Sequence, residues 1–275
     1  MEETMLVAAV QMNSREDKEV NLGKAERLID EAAERGAELV GLPEYFNVLG
    51  SGREILDNAE DIPGPTIRRL AERARAHGIY LHCGSMPERG GRAGRVFNTN
   101  VLLDPRGEIV ARYRKIHLFD IAIEGQPVHR ESATIQAGDE VVVAETALGP
   151  VGLSICYDVR FPELYRRLAV GGAKVFFVPA AFTLYTGKDH WEPLLRARAI
   201  ENQVYVVAPA QVGTHGGGTR ACYGKSMIVD PWGIVLAKAP DRECVIAAEI
   251  DLDHLEKIRR ELPSLANRAE KLFPC

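Results

Sequence analysis

The sequence predicts an α/β fold in which four layers, in the order α-β-β-α, contain two mixed sheets. Strand-like runs and helical apolar repeats alternate along the chain, which indicates helices layered on sheets. Two similar hairpin sequences, one in each half of the chain, indicate two related sheets packed on each other. Because no Pro/Gly/Ser-rich linker separates the halves, we predict a single domain over residues 1–275.

The individual elements follow from the spacing of apolar residues. From Val20 to Ala32 they repeat at helical spacing and stop near Gly36, where glycine suits the end of a helix. The further predicted helices are 65–77, 162–170, 190–202 and 253–261, and the predicted strands are 4–12, 38–43, 79–85, 174–179 and 204–210.

The two hairpins share a turn sequence, since Asp-Pro-x-Gly joins two apolar runs at residues 104–107 and again at 230–233. Aspartate, proline and glycine at the first, second and fourth positions suit a type I turn. We therefore expect antiparallel pairs in sheets that are not purely parallel.

Three segments depart from the alternation. The glycine-rich stretches 90–94 and 213–218 match no phosphate-binding pattern and are predicted to be turns or mobile loops. Whether 213–218 closes over a substrate stays open. The segment 252–275 is predicted to be a charged helix followed by an irregular tail, which either frays or docks on a partner subunit.

Composition excludes several classes of protein. The net charge of -5 gives no reason to expect nucleic acid or an anionic membrane as partner, and no apolar run approaches the ~20 residues that cross a bilayer. We expect no signal peptide. The five cysteines are scattered and odd in number, which favours a reducing cytoplasm over a disulfide framework. The seven histidines lack metal-ligand spacing, so we expect no metal and no other cofactor.

Cys156 follows the apolar run 151–155 and precedes a helix-like stretch. A strand that turns into a helix lifts one side chain clear of the backbone, and the next N–H groups can face an oxyanion. Taken alone, a cysteine at such a position is more often a small buried hydrophobe. As a nucleophile it needs a nearby cation to lower its pKa.

Two other strand ends carry ionisable residues. Glu44 lies between a proline and aromatic residues, where desolvation suits a general base, and Lys115 ends the second strand of the first hairpin. Each alone would be interpreted as a surface residue. Together with Cys156 they supply a base, a cation for the oxyanion and a thiol, which amide hydrolysis requires without a histidine. His117 is expected to pack or to orient a neighbour.

Three strings carry a specific resemblance: Gly-Leu-Pro-Glu at 41–44, Tyr-Arg-Lys-Ile-His-Leu at 113–118 and Ile-Cys-Tyr-Asp-Val-Arg-Phe-Pro-Glu at 155–163. They resemble the signature blocks of the nitrilase superfamily, the carbon–nitrogen hydrolases. The resemblance implies Glu44 as base, Lys115 as oxyanion cation and Cys156 as nucleophile, in a sandwich that pairs into a homodimer or a higher oligomer. It also implies a second glutamate, which Glu131 matches best and Glu124 matches as the competitor.

The strings around Cys156 and Thr-Gly-x-x-His-Trp at 186–191 resemble the branch of ω-amidases and deaminated-glutathione amidases. This implies a small-molecule amide with a free carboxylate, for which 2-oxoglutaramate and deaminated glutathione are the lead candidates. Arg160 either pairs with that carboxylate or holds the helix after Cys156. The Tyr157 backbone N–H is predicted to face the oxyanion. Lys188 and Asp189 depart from the branch pattern, which leaves the exact amide open.

Three other functions compete with this interpretation. Hydrolysis of N-carbamoyl amino acids or carbamoyl amines would use the same residues. A non-catalytic scaffold would need only the fold. A thiol redox sensor would need a resolving cysteine, for which Cys222 is a candidate.

Overall fold

The computed structural model describes residues 4–218, 220–269 and 271–272. Within them the α-helices are α1 Lys18–Glu34, α2 Gly52–Asp57, α3 Pro65–His77, α4 Pro162–Val170, α5 Leu184–Asn202 and α6 Leu252–Glu261. The strands are β1 Thr4–Gln11, β2 Leu39–Gly41, β3 Tyr80–His82, β4 Met86–Glu88, β5 Phe97–Leu103, β6 Ile109–Arg114, β7 Asp120–Ile121, β8 His129–Arg130, β9 Val143–Ala144, β10 Val151–Leu153, β11 Val175–Phe177, β12 Tyr205–Ala208, β13 Val212–His215, β14 Arg220–Tyr223, β15 Met227–Val229, β16 Val235–Lys238 and β17 Cys244–Asp251.

Two mixed sheets form the centre of the protein. The first has the order β17-β1-β2-β3-β5-β4, with β6 also paired to β5, and the second has the order β16-β15-β12-β11-β10-β9. In each sheet three neighbouring strands are parallel, β1-β2-β3 and β10-β11-β12, and the pairs outside them are antiparallel. Both predicted hairpins form, one in each sheet, as β5-β6 and β15-β16.

Strand β1 shows how the layers arise from the sequence. Val7 and Ala9 belong to the core between the two sheets, whereas Ala8 and Val10 belong to the core shared with α1 and α3. Alternate residues of a strand point to opposite faces, so an unbroken apolar strand buries both. Helices α4 and α5 cover the second sheet in the same way. The predicted α-β-β-α layering is confirmed.

The sheets approach each other closely where β2 ends. A Cβ atom on Gly41 would lie 2.5 Å from Cε1 of Phe177 in β11, so only glycine fits there without movement. This contact brings the carboxyl end of β2 in one sheet near the carboxyl ends of the parallel strands in the other. The residues that follow β2 and β10 therefore share one edge of the sandwich.

Some element boundaries differ from the prediction. Helix α5 starts at Leu184, six residues before the predicted start. Gly187 lies in this added part of the helix, and a Cβ atom there would lie 2.4 Å from the Tyr223 side chain of β14. Strand β17 was not predicted, and it pairs with β1 over eight residues. Residues 213–215 of the glycine-rich stretch form part of a strand and not a loop.

The segment after α6 was predicted to fray or to dock on a partner. Leu265 packs against the core of its own chain, and Gln203 Nε2 donates to the Leu262 carbonyl at 2.6 Å. Residues 270 and 273–275 of that segment lie outside the described residues, so docking on a partner stays a prediction. Among the described residues, no helix is long and apolar enough to span a membrane.

Candidate active site

Cys156 lies on a sharp turn between β10 and α4. Its φ of +48° is in the left-handed region that non-glycine residues seldom occupy, and a one-turn helix, Cys156–Arg160, begins there. The Cys156 N–H donates to the Pro179 carbonyl at 2.9 Å. The next N–H, that of Tyr157, donates to no backbone carbonyl in the described part of the chain. It is one of the donors that the first turn of a helix leaves without a partner.

Asp158 holds this turn in place. Its buried carboxylate accepts hydrogen bonds from Ile155 N at 2.8 Å, from Tyr113 Oη at 2.7 Å and from His117 N at 3.0 Å. His117 Nδ1 also lies 2.7 Å from this carboxylate, and its ring stacks on Phe161. Asp158 therefore ties the turn to the segment that carries Lys115. His117 orients a neighbour, as expected.

Glu44 and Lys115 form a buried ion pair beside Cys156. Lys115 Nζ lies 2.9 Å from Glu44 Oε1, and each residue is 2% exposed. The other oxygen of Glu44 accepts from Ala181 N at 2.8 Å, and Asn98 Nδ2 donates to Oε1 at 2.9 Å. The Glu44 carboxylate also lies close enough to the Cys156 thiol to raise the pKa of the thiol. The three strand ends singled out in the sequence thus meet at one point.

Glu131, and not Glu124, lies against Lys115. Its oxygens lie 2.9 and 3.1 Å from Lys115 Nζ, and they accept from Phe119 N at 2.6 Å and Tyr45 Oη at 3.1 Å. Glu124 is exposed and forms no ion pair with another described residue. Of the two candidate glutamates, Glu131 is therefore the one that contacts Lys115, and its role as the second glutamate stays a prediction.

The charges in this cluster set its protonation. Burial lowers the pKa of Lys115, but the carboxylates of Glu131 and Glu44 outweigh burial and raise the pKa well above its usual value, so the ammonium persists. Burial and the Glu44 carboxylate raise the pKa of the Cys156 thiol well above its usual value, and the opposing effect of Lys115 is smaller. Lys115 does lower the pKa of Cys156, as expected, but burial and the Glu44 carboxylate outweigh it, which favours a protonated sulfur in the free protein.

A cavity of about 760 Å³ opens above the cluster. Glu44, Lys115, Glu131, Cys156 and Tyr157 all line it. Arg160, the predicted carboxylate partner, is not among the described lining residues. Its guanidinium lies over the rings of Phe182 and Tyr157, at 5.1 and 5.7 Å from their centres, and both rings line the cavity.

Comparison with known proteins identifies the family. The model of the carbon-nitrogen hydrolase family matches residues 6–260. The chain belongs to this family. It is 49% identical to a deaminated glutathione amidase from Synechocystis over 96% of this chain and 97% of that protein. It is 41% identical to omega-amidase NIT2 from Mus musculus over 98% and 97% of the two chains.

Solved structures agree with the fold. The NitFhit protein of C. elegans matches with a TM-score of 0.91 at 41% identity, over 98% of this chain and 66% of that longer chain. Saccharomyces cerevisiae Nit3, described as a member of branch 10 of the nitrilase superfamily, matches with a TM-score of 0.88 at 32% identity, over 98% and 97% of the two chains. The prediction of the fold and the prediction of a carbon–nitrogen hydrolase of the amidase type are both confirmed. A Glu-Lys-Cys triad is typical of this family.

Three residues of the site escaped the sequence analysis. Asn98 bridges Glu44 and Glu131, Tyr45 donates to Glu131, and Asp158 anchors the turn. Tyr45 also has a positive φ of 52°. The available signal was the polar pattern within β5, where Asn98 and Asn100 interrupt a buried strand. Polar residues in such a strand need partners, and those of Asn98, which are Glu44 and Glu131, lie at the site.

Proposed function

We propose that this enzyme hydrolyses a small amide whose acyl part carries a free carboxylate, with Cys156 as nucleophile, Glu44 as base and Lys115 as oxyanion cation. The observation that carries the proposal is the buried Cys156–Glu44–Lys115 cluster at the base of a cavity. The relatives named for deaminated glutathione and for an ω-amide support the substrate class. They do not favour a carbamoyl hydrolase or a scaffold.

The protonation state gives the order of events. Because burial and Glu44 raise the pKa of Cys156, the resting sulfur is a thiol, and the neighbouring Glu44 carboxylate takes its proton as sulfur attacks the amide carbon. The oxygen then develops negative charge beside Lys115 Nζ and the Tyr157 N–H. Glu44 returns the proton to the departing nitrogen, and a thioester remains on Cys156. A water that Glu44 deprotonates then hydrolyses the thioester.

Glu131 is proposed to position Lys115. Its carboxylate lies against Lys115 Nζ and is itself held by the Phe119 N–H and the Tyr45 hydroxyl. The ammonium is therefore fixed between Glu131 and Glu44. This prevents Lys115 from turning toward Glu44 alone, where it would neutralise the base.

Arg160 remains our proposed partner for the acyl carboxylate. Its guanidinium lies over the rings of Phe182 and Tyr157, two residues that line the cavity, and Nη1 lies 3.3 Å from His190 Nδ1. A guanidinium that lies over aromatic rings can still donate hydrogen bonds to a carboxylate. Arg160→Met is expected to raise KM for carboxylate-bearing amides more than for uncharged ones.

The test is product release from a panel of 2-oxoglutaramate, deaminated glutathione, N-carbamoyl amino acids and simple nitriles. Turnover of a carboxylate-bearing amide is expected, and Cys156→Ala should fall below about 1% of it. Cys222→Ala is the matched control, because Cys222 is a second buried thiol lining the same cavity. Full activity of Cys156→Ala would remove the nucleophile assignment. Activity on carbamoyl compounds alone, detected as CO2 release, would show that the substrate is a carbamoyl compound and not an amide.

We propose that the enzyme acts as a homodimer or a higher oligomer. Trp232 is 57% exposed and Ile234 55% exposed, and Ile200 of α5 packs beside their turn while itself 48% exposed. Such a contiguous apolar face is typical of a contact between copies. Trp232→Glu should lower the mass measured by sedimentation. The four described cysteines are free thiols, which supports our proposal of a cytoplasmic enzyme.

A further inference from the structure

Asn98 places a neutral amide between the two carboxylates of the active site. It lies on β5, it is fully buried, and its backbone carbonyl accepts a hydrogen bond from Lys115 N at 2.9 Å. Its Nδ2 donates to Glu44 Oε1 at 2.9 Å and to Glu131 Oε1 at 3.3 Å. Asn98 therefore contacts all three charged residues of the cluster, although it is not among the described residues that line the cavity.

The two carboxylates fix the orientation of this amide. Asn98 Oδ1 is buried and has no hydrogen-bond partner within the described part of the chain, which costs stability. Turning the amide over would set that oxygen against the oxygens of Glu44 and Glu131, none of which has a proton to donate when ionised. The amide is therefore held by the two hydrogen bonds that Nδ2 donates, and it serves the carboxylates.

The two oxygens of Glu44 have different surroundings. Oε1 accepts hydrogen bonds from Lys115 Nζ and from Asn98 Nδ2, both at 2.9 Å. Because a carboxylate oxygen has two lone pairs, these two donors occupy both of them. Oε2 accepts from the backbone N–H of Ala181 at 2.8 Å, which occupies one lone pair. Oε2 is therefore the oxygen of Glu44 that can still take a proton.

The same oxygen lies on the side of Cys156. Cys156 N donates to the Pro179 carbonyl at 2.9 Å, and Ala181, which holds Oε2, follows two residues later. Burial and then the charge of Glu44 raise the pKa of the Cys156 thiol, and the backbone N–H of Ala181 acts on the thiol in the opposite direction. One N–H thus borders both Oε2 and the sulfur, so the thiol proton has a short path to Oε2.

We propose that Asn98 is a positioning residue for the base: it occupies the second lone pair of Glu44 Oε1 and so leaves Oε2 as the oxygen that takes the Cys156 proton. This rests on the amidase function proposed above. The proton leaves Sγ for Oε2 as the C–S bond forms, and it passes from Oε2 to the departing nitrogen as the C–N bond breaks. The second hydrogen bond of Nδ2 holds Glu131 in place beside Lys115.

Removing the Asn98 donor should change how the enzyme responds to pH. A carboxylate that loses a hydrogen-bond donor is protonated more readily, so the acid limb of the kcat/KM profile should move to higher pH. The titratable groups around Glu44 are Lys115, Cys156, Tyr45, Glu131 and Cys222. A neutral substitution of Asn98 keeps all of these side chains, so a shifted limb reports on the missing donor.

The experiment measures kcat and KM against pH for the best amide of the panel. Asn98→Leu keeps the size of the side chain and removes the donor, so kcat should fall by about 10- to 100-fold, the effect of one hydrogen bond to a charged group, with KM within about twofold. Asn98→Asp has a donor only while the new carboxyl is protonated, so its activity should approach that of the wild type at acid pH and fall as the pH rises. Opposite pH trends in two variants of equal size do not arise from a loss of packing.

Asn100→Leu is the matched control. Asn100 lies two residues further along β5, is equally buried, and donates to the Gly84 carbonyl at 2.8 Å and not to a carboxylate of the cluster. Its pH profile should keep the shape of the wild-type profile.

Several results would overturn the role of Asn98 while leaving the amidase function intact. These are a wild-type kcat or an unshifted acid limb in Asn98→Leu, and an equal shift in Asn100→Leu. If Asn98→Leu does not fold, Asn98→Asp decides, and a wild-type alkaline side in that variant would overturn the proposal. Inactivity of the wild type toward the whole panel would instead remove the proposed function, and the inference with it.

Discussion

Replacing Glu131 with glutamine tests the buried charge cluster most directly. Glu131 accepts hydrogen bonds from Lys115, Phe119, Tyr45 and Asn98. Glutamine keeps the size and one carbonyl oxygen, but it removes the charge that Lys115 faces and turns an amide donor toward a cation. Lys115 then has Glu44 as its one remaining carboxylate, and it is expected to neutralise the base.

The magnitude follows from the contacts. A hydrogen bond to a charged group contributes ~1.5–3 kcal/mol, and the lost contact acts on the charge that develops in the transition state. A loss near ~3 kcal/mol corresponds to a decrease in kcat of about a hundredfold. The cost to stability should be smaller, ~1–2 kcal/mol, because Glu44 still pairs with Lys115 and no lone buried cation results.

The assay is kcat and KM for the best amide of the panel, measured against pH, with urea unfolding in parallel. Because Glu131 is the largest influence that raises the pKa of Lys115, its removal should also shift the alkaline limb of the kcat profile to lower pH. Glu124→Gln is the matched control, since this glutamate is exposed. Wild-type kcat in Glu131→Gln, or equal losses in the two variants, would refute the positioning role.

Three further predictions follow from the same geometry. Burial and Glu44 hold the pKa of Cys156 well above its usual value, so the rate of alkylation by iodoacetamide should rise from pH 7 to 9 without a plateau. Glu44→Gln should move the inflection of this pH profile to lower pH. A plateau near pH 7 in the wild type would contradict the raised pKa. Asp158→Asn should lower the free energy of unfolding by ~2–3 kcal/mol and reduce kcat, because it weakens the hydrogen bonds that hold the turn. Unchanged urea unfolding would show that the turn is stable without the Asp158 carboxylate. Gly41→Ala should destabilise by ~1–3 kcal/mol through overlap with Phe177, and an unchanged Tm would show that the sheets can separate locally.

Much of the fold was accessible from the sequence because its signals are local. Apolar spacing predicted α1 and α3 closely, and the Asp-Pro-x-Gly turns predicted one hairpin in each sheet. Strand β17 was missed, since its pairing with β1 joins residues about 240 positions apart and leaves no local turn signal. The early start of α5 was missed because Gly187, which looks like a helix breaker, is required by a neighbouring side chain.

The sequence by itself singled out the residues that we propose to carry the chemistry, since Glu44, Lys115 and Cys156 each follow a strand and such strand ends meet at one edge of layered sheets. Only the tertiary structure decided their state. The contact of Glu131, and not of Glu124, with Lys115 and the raised pKa of the Cys156 thiol depend on distances between segments far apart in the chain. Charges interact through space and burial, and the order of residues along the chain specifies neither.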